Sequence, residues 1–303
     1  VTQRRYTIAT AQYPVERLAD FAAWEAKLAR WIGEAADAGA KLAVFPEYGG
    51  MELTALDPAS VDDLHGSIAA LGRLAARIDA AHAALACRHD LHILAASLPL
   101  RDADGHFRNR ATLFAPNGKF GSQRKIVMTR FERELWGIRG GGPVRVFDTD
   151  LGRIGISICY DAEFPLIARA QAEAGAELIL VPSATDTLHG YHRVRIGAQA
   201  RALENQLYVV QSPVIGDAEW TPSLGTSHGA AGVYGPPDLG FPDDGVVAMG
   251  VLDRPGWVFG EIDRDKVAAV RVAGAVFNHT HWGEQMPQAI GLPEVEVVDL
   301  RRG

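Results

Sequence analysis

"VRVFDTDLGRIGISICYDAEFP", Val144–Pro165, decides how this chain folds. Two strand-like runs flank Asp150–Gly152, residues suited to a hairpin turn. Successive strand side chains alternate, so Ile154, Ile156 and Ile158 share one face and Gly155, Ser157 and Cys159 the other. The small residues on that second face leave room for something to approach. After Cys159 the sequence turns polar at Tyr160-Asp161, and "EFPLIARAQAEAGA" is helix-periodic, with Glu163 and Pro165 marking its start. A thiol at such a corner has two readings. It is a small buried hydrophobe, or a nucleophile whose thiolate is favoured by the positive end of a helix dipole.

The same alternation of strand and helix extends in both directions. "RYTIATAQ" (5–12), "KLAVFPE" (41–47), "LHILAASLPL" (91–100), "ELILVPS" (177–183) and "QLYVVQSPV" (206–214) read as strands. "FRNRATLFAPNGKFGSQRK" (107–125) reads as a hairpin on Asn117-Gly118, and "GVVAMGVL" with "WVFGEID" as another. Helical periodicity covers 18–40, an alanine-rich stretch from about Val61 to Arg88, and "GYHRVRIGAQARALEN" (190–205). Residues 216–245 read as loop around one short strand, and the pattern becomes irregular from about residue 271. Mixed hairpins and crossovers imply an α/β fold with a mixed sheet covered by helices. No composition shift marks a linker, so residues 1–303 read as one domain.

The chain of 303 residues is 48% hydrophobic and 22% charged, the balance of a soluble globular protein. A net charge of −7 disfavours a nucleic-acid partner. No run approaches the length of a membrane span or a signal peptide. Two cysteines, Cys87 and Cys159, form no disulfide framework, and reduced thiols point to the cytoplasm.

Three segments carry candidate chemistry. Glu47 follows a buried strand in "AVFPEYGG", where a carboxylate serves as a general base or is simply solvated. Lys125 ends a hairpin strand in "GSQRKIVMTRFERELWGI", suited to hold an oxyanion or lower a thiol's pKa. Glu132 lies seven residues on, between Arg130 and Arg133 in a charged turn. One of those arginines pairs a substrate carboxylate, or both form surface ion pairs. "GTSHG" (225–229) matches G-x-S-x-G but lacks the strand before and helix after that a serine nucleophile needs. His189, His192, His279 and His281 have no metal-ligand spacing, and no phosphate loop is present, so no metal and no cofactor are expected.

In order, "AVFPEYG", "QRKIVMTRFERELW" and "GISICYDAEFP" resemble the glutamate, lysine and cysteine motifs of the nitrilase superfamily of carbon–nitrogen hydrolases. The resemblance runs from "TIATAQYPV" to "GWVFGEID" and includes "ARALENQLYVVQS". "MTRFERELWGI" and "FPDDG" are similar to a branch associated with acetyltransferase domains, though no such domain is expected within these residues. Leu166 and His192 depart from it, where Glu and Trp are expected. The resemblance implies a four-layer α-β-β-α sandwich with two mixed sheets, paired as a homodimer or higher homo-oligomer. It also implies Cys159 as nucleophile, Glu47 as base, Lys125 and the Tyr160 backbone N–H as oxyanion donors, and Glu132 as a supporting carboxylate. The expected activity is hydrolysis of a small-molecule amide. The alternatives are a nitrile substrate, N-acyl transfer from the same acyl-enzyme, or a non-catalytic binding protein.

Overall fold

The computed structural model describes residues 3–285. Its first seven strands are β1 (Arg5–Pro14), β2 (Ala40–Val44), β3 (His92–Leu94), β4 (Leu98–Arg101), β5 (Phe107–Phe114), β6 (Phe120–Arg124) and β7 (Val146–Thr149). β8 (Gly152–Ile156), β9 (Leu178–Ser183), β10 (Tyr208–Ala218), β11 (Gly225–Ser227), β12 (Gly232–Tyr234), β13 (Val246–Met249) and β14 (Gly256–Asp263) follow. The main helices are α1 (Phe21–Asp37), α2 (Leu64–Gly72), α3 (Ala75–His89), α4 (Pro165–Glu173), α5 (Leu188–Asn205) and α6 (Arg264–Ala273).

The strands form two mixed sheets. In the first, β1, β2 and β3 run parallel, while β5 and β14 close its flanks antiparallel. In the second, β8, β9 and β10 run parallel, flanked by antiparallel β7 and β12. The sheets are joined where Tyr13 pairs Val214 and Pro14 pairs Ile215. Period-two alternation then sorts the side chains into layers. Tyr6, Ile8, Leu42, Val44 and Leu94 pack with Ile154, Ile156, Leu178 and Val209 of the other sheet. Their neighbours Ala9, Ala11, Ala43, Phe45 and Ile93 pack instead against Trp24, Leu28 and Ile32 of α1 and Ile78 and Leu85 of α3. Ala168 and Ala172 of α4 and Val194, Ala198 and Ala202 of α5 join the second sheet's cluster. The fold is the mixed α/β architecture expected, and this sorting is what an α-β-β-α order of layers produces.

Several local expectations are corrected. The hairpin expected from "GVVAMGVL" and "WVFGEID" does not form: β13 pairs β12, and β14 pairs β1 along Arg5–Gln12. Trp257 explains the choice, because its indole sits 5.2 Å from Trp31 and donates to the Trp31 carbonyl at 3.0 Å. That contact commits β14 to the α1 side. The alanine-rich helix is broken after Gly72, a weak helix former, where Arg73 and Leu74 switch to tighter i→i+3 bonds with Ala70 and Leu71. The strand expected over 91–100 is interrupted at Ala95–Ser97, where Ser97 accepts from the Tyr48 N–H at 3.1 Å and donates its own N–H to Pro46. Residues 216–245 hold two short strands rather than one, and β10 runs on to Ala218. The irregular tail begins later than expected. Asp263 caps α6 by accepting from Asp265 N–H, and Val267 and Val270 are buried. Short helical turns cover Asn278–Gln285, and the rest of the tail lies outside the described residues.

Among the apolar residues between α3 and the first sheet sits His82. It stacks on Phe114 at 5.6 Å and bonds the Ile78 carbonyl through Nδ1 at 2.8 Å. Burial pushes its pKa down to about 4. The folded state therefore holds neutral imidazole, while the unfolded chain takes up a proton near pH 6.5. Stability should fall as pH drops from about 6.5 toward 4, by on the order of 3 kcal/mol from this group. Urea unfolding across that range should show the loss, and His82→Phe, which keeps the ring packing, should flatten it.

Candidate active site

Cys159 lies three residues beyond β8, at the head of a 3-10 turn spanning Cys159–Glu163. Its backbone is left-handed, with φ +50°, a conformation a non-glycine residue adopts only when its surroundings impose it. Asp161 supplies that constraint. Its buried carboxylate accepts from the N–H groups of Ile158 at 3.2 Å, Ile126 at 3.1 Å and Val127 at 2.8 Å. One side chain therefore closes the turn and ties it to the segment just after Lys125. The isoleucines at 154, 156 and 158 are core, as the alternation implies. The small face opposite is not open space, however. Gln171 of α4 covers it: a Cβ at Gly155 would meet Gln171 at 2.7 Å, and the Ser157 hydroxyl bonds Gln171 Oε1 at 3.1 Å. Cys159, but neither Gly155 nor Ser157, lines a cavity of about 720 Å³.

Lys125 follows β6, its N–H bonded to the Asn109 carbonyl at 2.9 Å. Its ammonium is buried between two carboxylates, 2.7 Å from Glu47 Oε1 and 2.7 Å from Glu132 Oε2. Glu47 sits beyond β2, on the loop pinned by Ser97. Its Oε1 also accepts from Asn109 Nδ2 at 2.8 Å, and its Oε2 accepts from the Ala184 N–H at 3.0 Å. Glu132, on the turn Phe131–Leu135, accepts further bonds from Tyr48 Oη at 2.5 Å and from Thr129 N–H at 2.9 Å and Oγ1 at 2.8 Å. The Cys159 thiol bonds the Ala184 carbonyl at 3.7 Å and lies near enough to Glu47 for each to shift the other's titration.

Burial dominates the electrostatics here. It raises Glu47 to about 7 even against the opposing pull of Lys125. Burial alone would lower Lys125, but Glu132 and Glu47 more than offset it and hold the ammonium charged. Burial would also raise Glu132, and Lys125 with its other donors brings that carboxyl below its usual range. The Cys159 thiol is pushed well up by burial and by Glu47, with Lys125 opposing. The thiolate expected from a helix dipole is therefore not the resting form. The turn behind the sulfur is only five residues long, and desolvation outweighs it.

Glu47, Lys125, Glu132, Cys159 and Tyr160 all line the one cavity. The two arginines do not share this placement. Arg133 is exposed and does not line it. Arg130 reaches the rim, but its guanidinium is held by Glu134 through Nε and Nη2, both at 3.0 Å. Leu166 and His192 are exposed, and neither lines the cavity. Ser227 of "GTSHG" contributes to the cavity wall and is the last residue of β11. No helix follows it. Sequence reading missed Asn109, Tyr48, Thr129 and Ala184. Asn109 carried a signal, since it is the one polar residue on the face of β5 shared by Phe107, Ala111 and Leu113.

Residues 7–271 match the family model described as carbon-nitrogen hydrolase. The chain belongs to that family. It is 33% identical over 272 residues to the probable hydrolase YhcX of Bacillus subtilis, an alignment covering 89% of this chain and 52% of YhcX. The chain thus spans about half of that relative. Among solved structures, Saccharomyces cerevisiae Nit3, of branch 10 of the nitrilase superfamily, superposes with a TM-score of 0.71 at 22% identity, covering 89% of this chain and 94% of Nit3. An amidase variant from Nesterenkonia sp. AN1 superposes with a TM-score of 0.64 at 22% identity, covering 88% of this chain and 94% of that one. That structure carries the acetamide moiety of fluoroacetamide on its active-site cysteine.

Removing one member of a buried ion cluster leaves the others uncompensated. Lys125→Met should therefore destabilise the fold by about 3–5 kcal/mol near pH 8. The loss should shrink toward pH 5, where protonation of Glu47 relieves the repulsion. Chemical denaturation at the two pH values measures both.

Proposed function

We propose that this protein hydrolyses the carbon–nitrogen bond of small-molecule amides through an acyl-enzyme on Cys159. The observation that carries the reading is the placement of Glu47, a buried carboxylate 2.7 Å from the Lys125 ammonium and bonded to the N–H of Ala184, whose carbonyl the Cys159 thiol bonds. Among the described residues, Asn109 and Lys125 both donate to Oε1, while Oε2 accepts one backbone donor, the Ala184 N–H. Oε2 is thus the oxygen with room for a proton, and Asn109 acts as a positioning residue.

In this mechanism Glu47 takes the thiol proton as sulfur attacks the amide carbonyl. The carbonyl π electrons move onto oxygen, and Lys125 Nζ and the Tyr160 backbone N–H stabilise that oxyanion. Two Lys125 donors are held by Glu47 and Glu132, which leaves a third for this role. The carbonyl re-forms, the C–N bond breaks, and Glu47 returns the proton to the departing amine. Glu47 then deprotonates a water that attacks the thioester, and sulfur leaves as the thiol. A nitrile would enter through the same thiol, and an amine could replace the water, so products distinguish these chemistries. An amidase releases ammonia from primary amides and leaves the matching nitrile intact.

Two further assignments belong to this reading. Leu166 on α4 and Ile196 and Leu203 on α5, which packs against it, are exposed apolar side chains, which supports pairing of subunits through these helices as a homodimer. Two free cysteines suit the cytoplasm. No described helix is long and apolar enough to cross a membrane.

Generic alkylation is a poor test, because Cys87 is exposed while Cys159 is buried with a raised pKa. A substrate-shaped electrophile is better. Fluoroacetamide should modify Cys159 specifically, seen by peptide mass mapping, and Cys159→Ala should abolish ammonia release. Full activity in that variant would refute the mechanism. Because Glu47 must be ionised to accept a proton, kcat/KM should rise with pH through an apparent pKa of about 7. A flat profile from pH 5 to 8 would contradict Glu47 as base.

A further inference from the structure

We propose that Arg193 binds a carboxylate at the far end of the substrate, so that the preferred amides are monoamides of short dicarboxylic acids. This rests on the amidase reading above and adds a substrate class to it.

Three cationic side chains line the cavity: Lys125, Arg130 and Arg193. Lys125 is buried and held by Glu47 and Glu132. The fork of Arg130 is closed on Glu134 through two bonds, and its side chain is 89% exposed. Arg193 differs from both. Its one ion-pair contact is Nε to Glu163 Oε1 at 3.4 Å, and its two Nη groups make no hydrogen bond within the described residues. A guanidinium presents five donors in a planar fork, and its paired Nη edge matches a carboxylate in bidentate fashion. That edge is open only on Arg193.

The helix that carries Arg193 fixes where the edge lies. α5 packs against the turn Cys159–Glu163, and Gly197 permits the approach, since a Cβ there would meet the Ala162 carbonyl oxygen at 2.8 Å. Residues four apart share a helix face. One turn after Gly197, Arg201 Nη1 donates to the Ala162 carbonyl at 3.1 Å. One turn before it, Arg193 meets Glu163. The row 193, 197, 201 therefore lies along the turn that presents Cys159, with Arg193 at its cavity end.

Acids also line this cavity and must be weighed. Glu163 engages the Nε side, so a carboxylate on the Nη edge need not displace it. The Glu163–Arg193 contact is long and its arginine is exposed, so the pair contributes little by itself. Asp186 is exposed, and solvent screens its repulsion. Glu47 and Glu132 share the Lys125 ammonium between them, which offsets one of their two charges.

The test uses succinamate and its uncharged match, butyramide, as probes. Binding is measured by calorimetry in the Cys159→Ala background, where no turnover occurs. Adding Arg193→Gln should weaken succinamate about tenfold or more, as expected for a lost charge-assisted pair, and leave butyramide within about twofold. Arg193→Lys, which keeps the charge without the fork, should fall between. In the active enzyme, Arg193→Gln should raise KM for succinamate far more than it lowers kcat. Equal losses for both probes, an unchanged succinamate affinity, or no succinamate binding at all would overturn the proposal. The two readings fail separately. Arg193-dependent binding without hydrolysis by the unmodified protein refutes the amidase and leaves the subsite standing. Hydrolysis indifferent to Arg193 does the reverse.

Discussion

The ammonium of Lys125, enclosed between Glu47 and Glu132, is the interaction on which the rest of the site depends. Taking three charges out of water is costly, and the cost is met only when geometry is tight and each remaining lone pair has a donor. The surroundings supply those donors. Asn109 and the Ala184 N–H reach Glu47, while Tyr48 and Thr129 reach Glu132. Each donor comes from a different part of the chain, so the cluster can be assembled only once both sheets and their loops are in place. An incomplete fold would leave a buried charge exposed to the full penalty of desolvation.

The same arrangement sets the protonation states. A lysine beside a thiol would ordinarily favour the thiolate. Here two carboxylates absorb that influence, and Glu47 also repels a developing charge on sulfur. The thiol, pushed well above its usual range, keeps its proton beside an acid poised about neutrality, so any transfer to Glu47 is uphill from the resting state. Strain contributes locally. Tyr48 and Cys159 both adopt left-handed backbones, at φ +55° and +50°, and each is held by polar bonds in its own loop.

Much of this was legible in the sequence, though unevenly. The alternation of Ile154, Ile156 and Ile158 identified the strand behind Cys159, and three motifs located the acid, the lysine and the thiol. Other features left no local trace. The interruption at Ala95–Ser97 looks like continuous strand, because Ser97 acts through bonds to Pro46 and Tyr48 nearly fifty residues away. The pairing of β14 with β1 was hidden for a related reason: Trp257 finds its partner Trp31 across the whole chain. Arg130 and Arg133 drew attention by proximity to Glu132, whereas the open guanidinium belongs to Arg193, brought near by the packing of α5. Sequence distance is a poor guide to a cavity whose walls come from separate layers.

The peptide at Ala184 has a wider consequence. Its N–H is bonded to Glu47 and its carbonyl to Cys159, so two rigid peptide planes hinged at a single Cα span acid and sulfur. The spacing of carboxylate and sulfur then depends on the φ and ψ of Ala184, the hinge between those planes. The bond to Glu47 needs that N–H, so proline, which lacks one, cannot stand there.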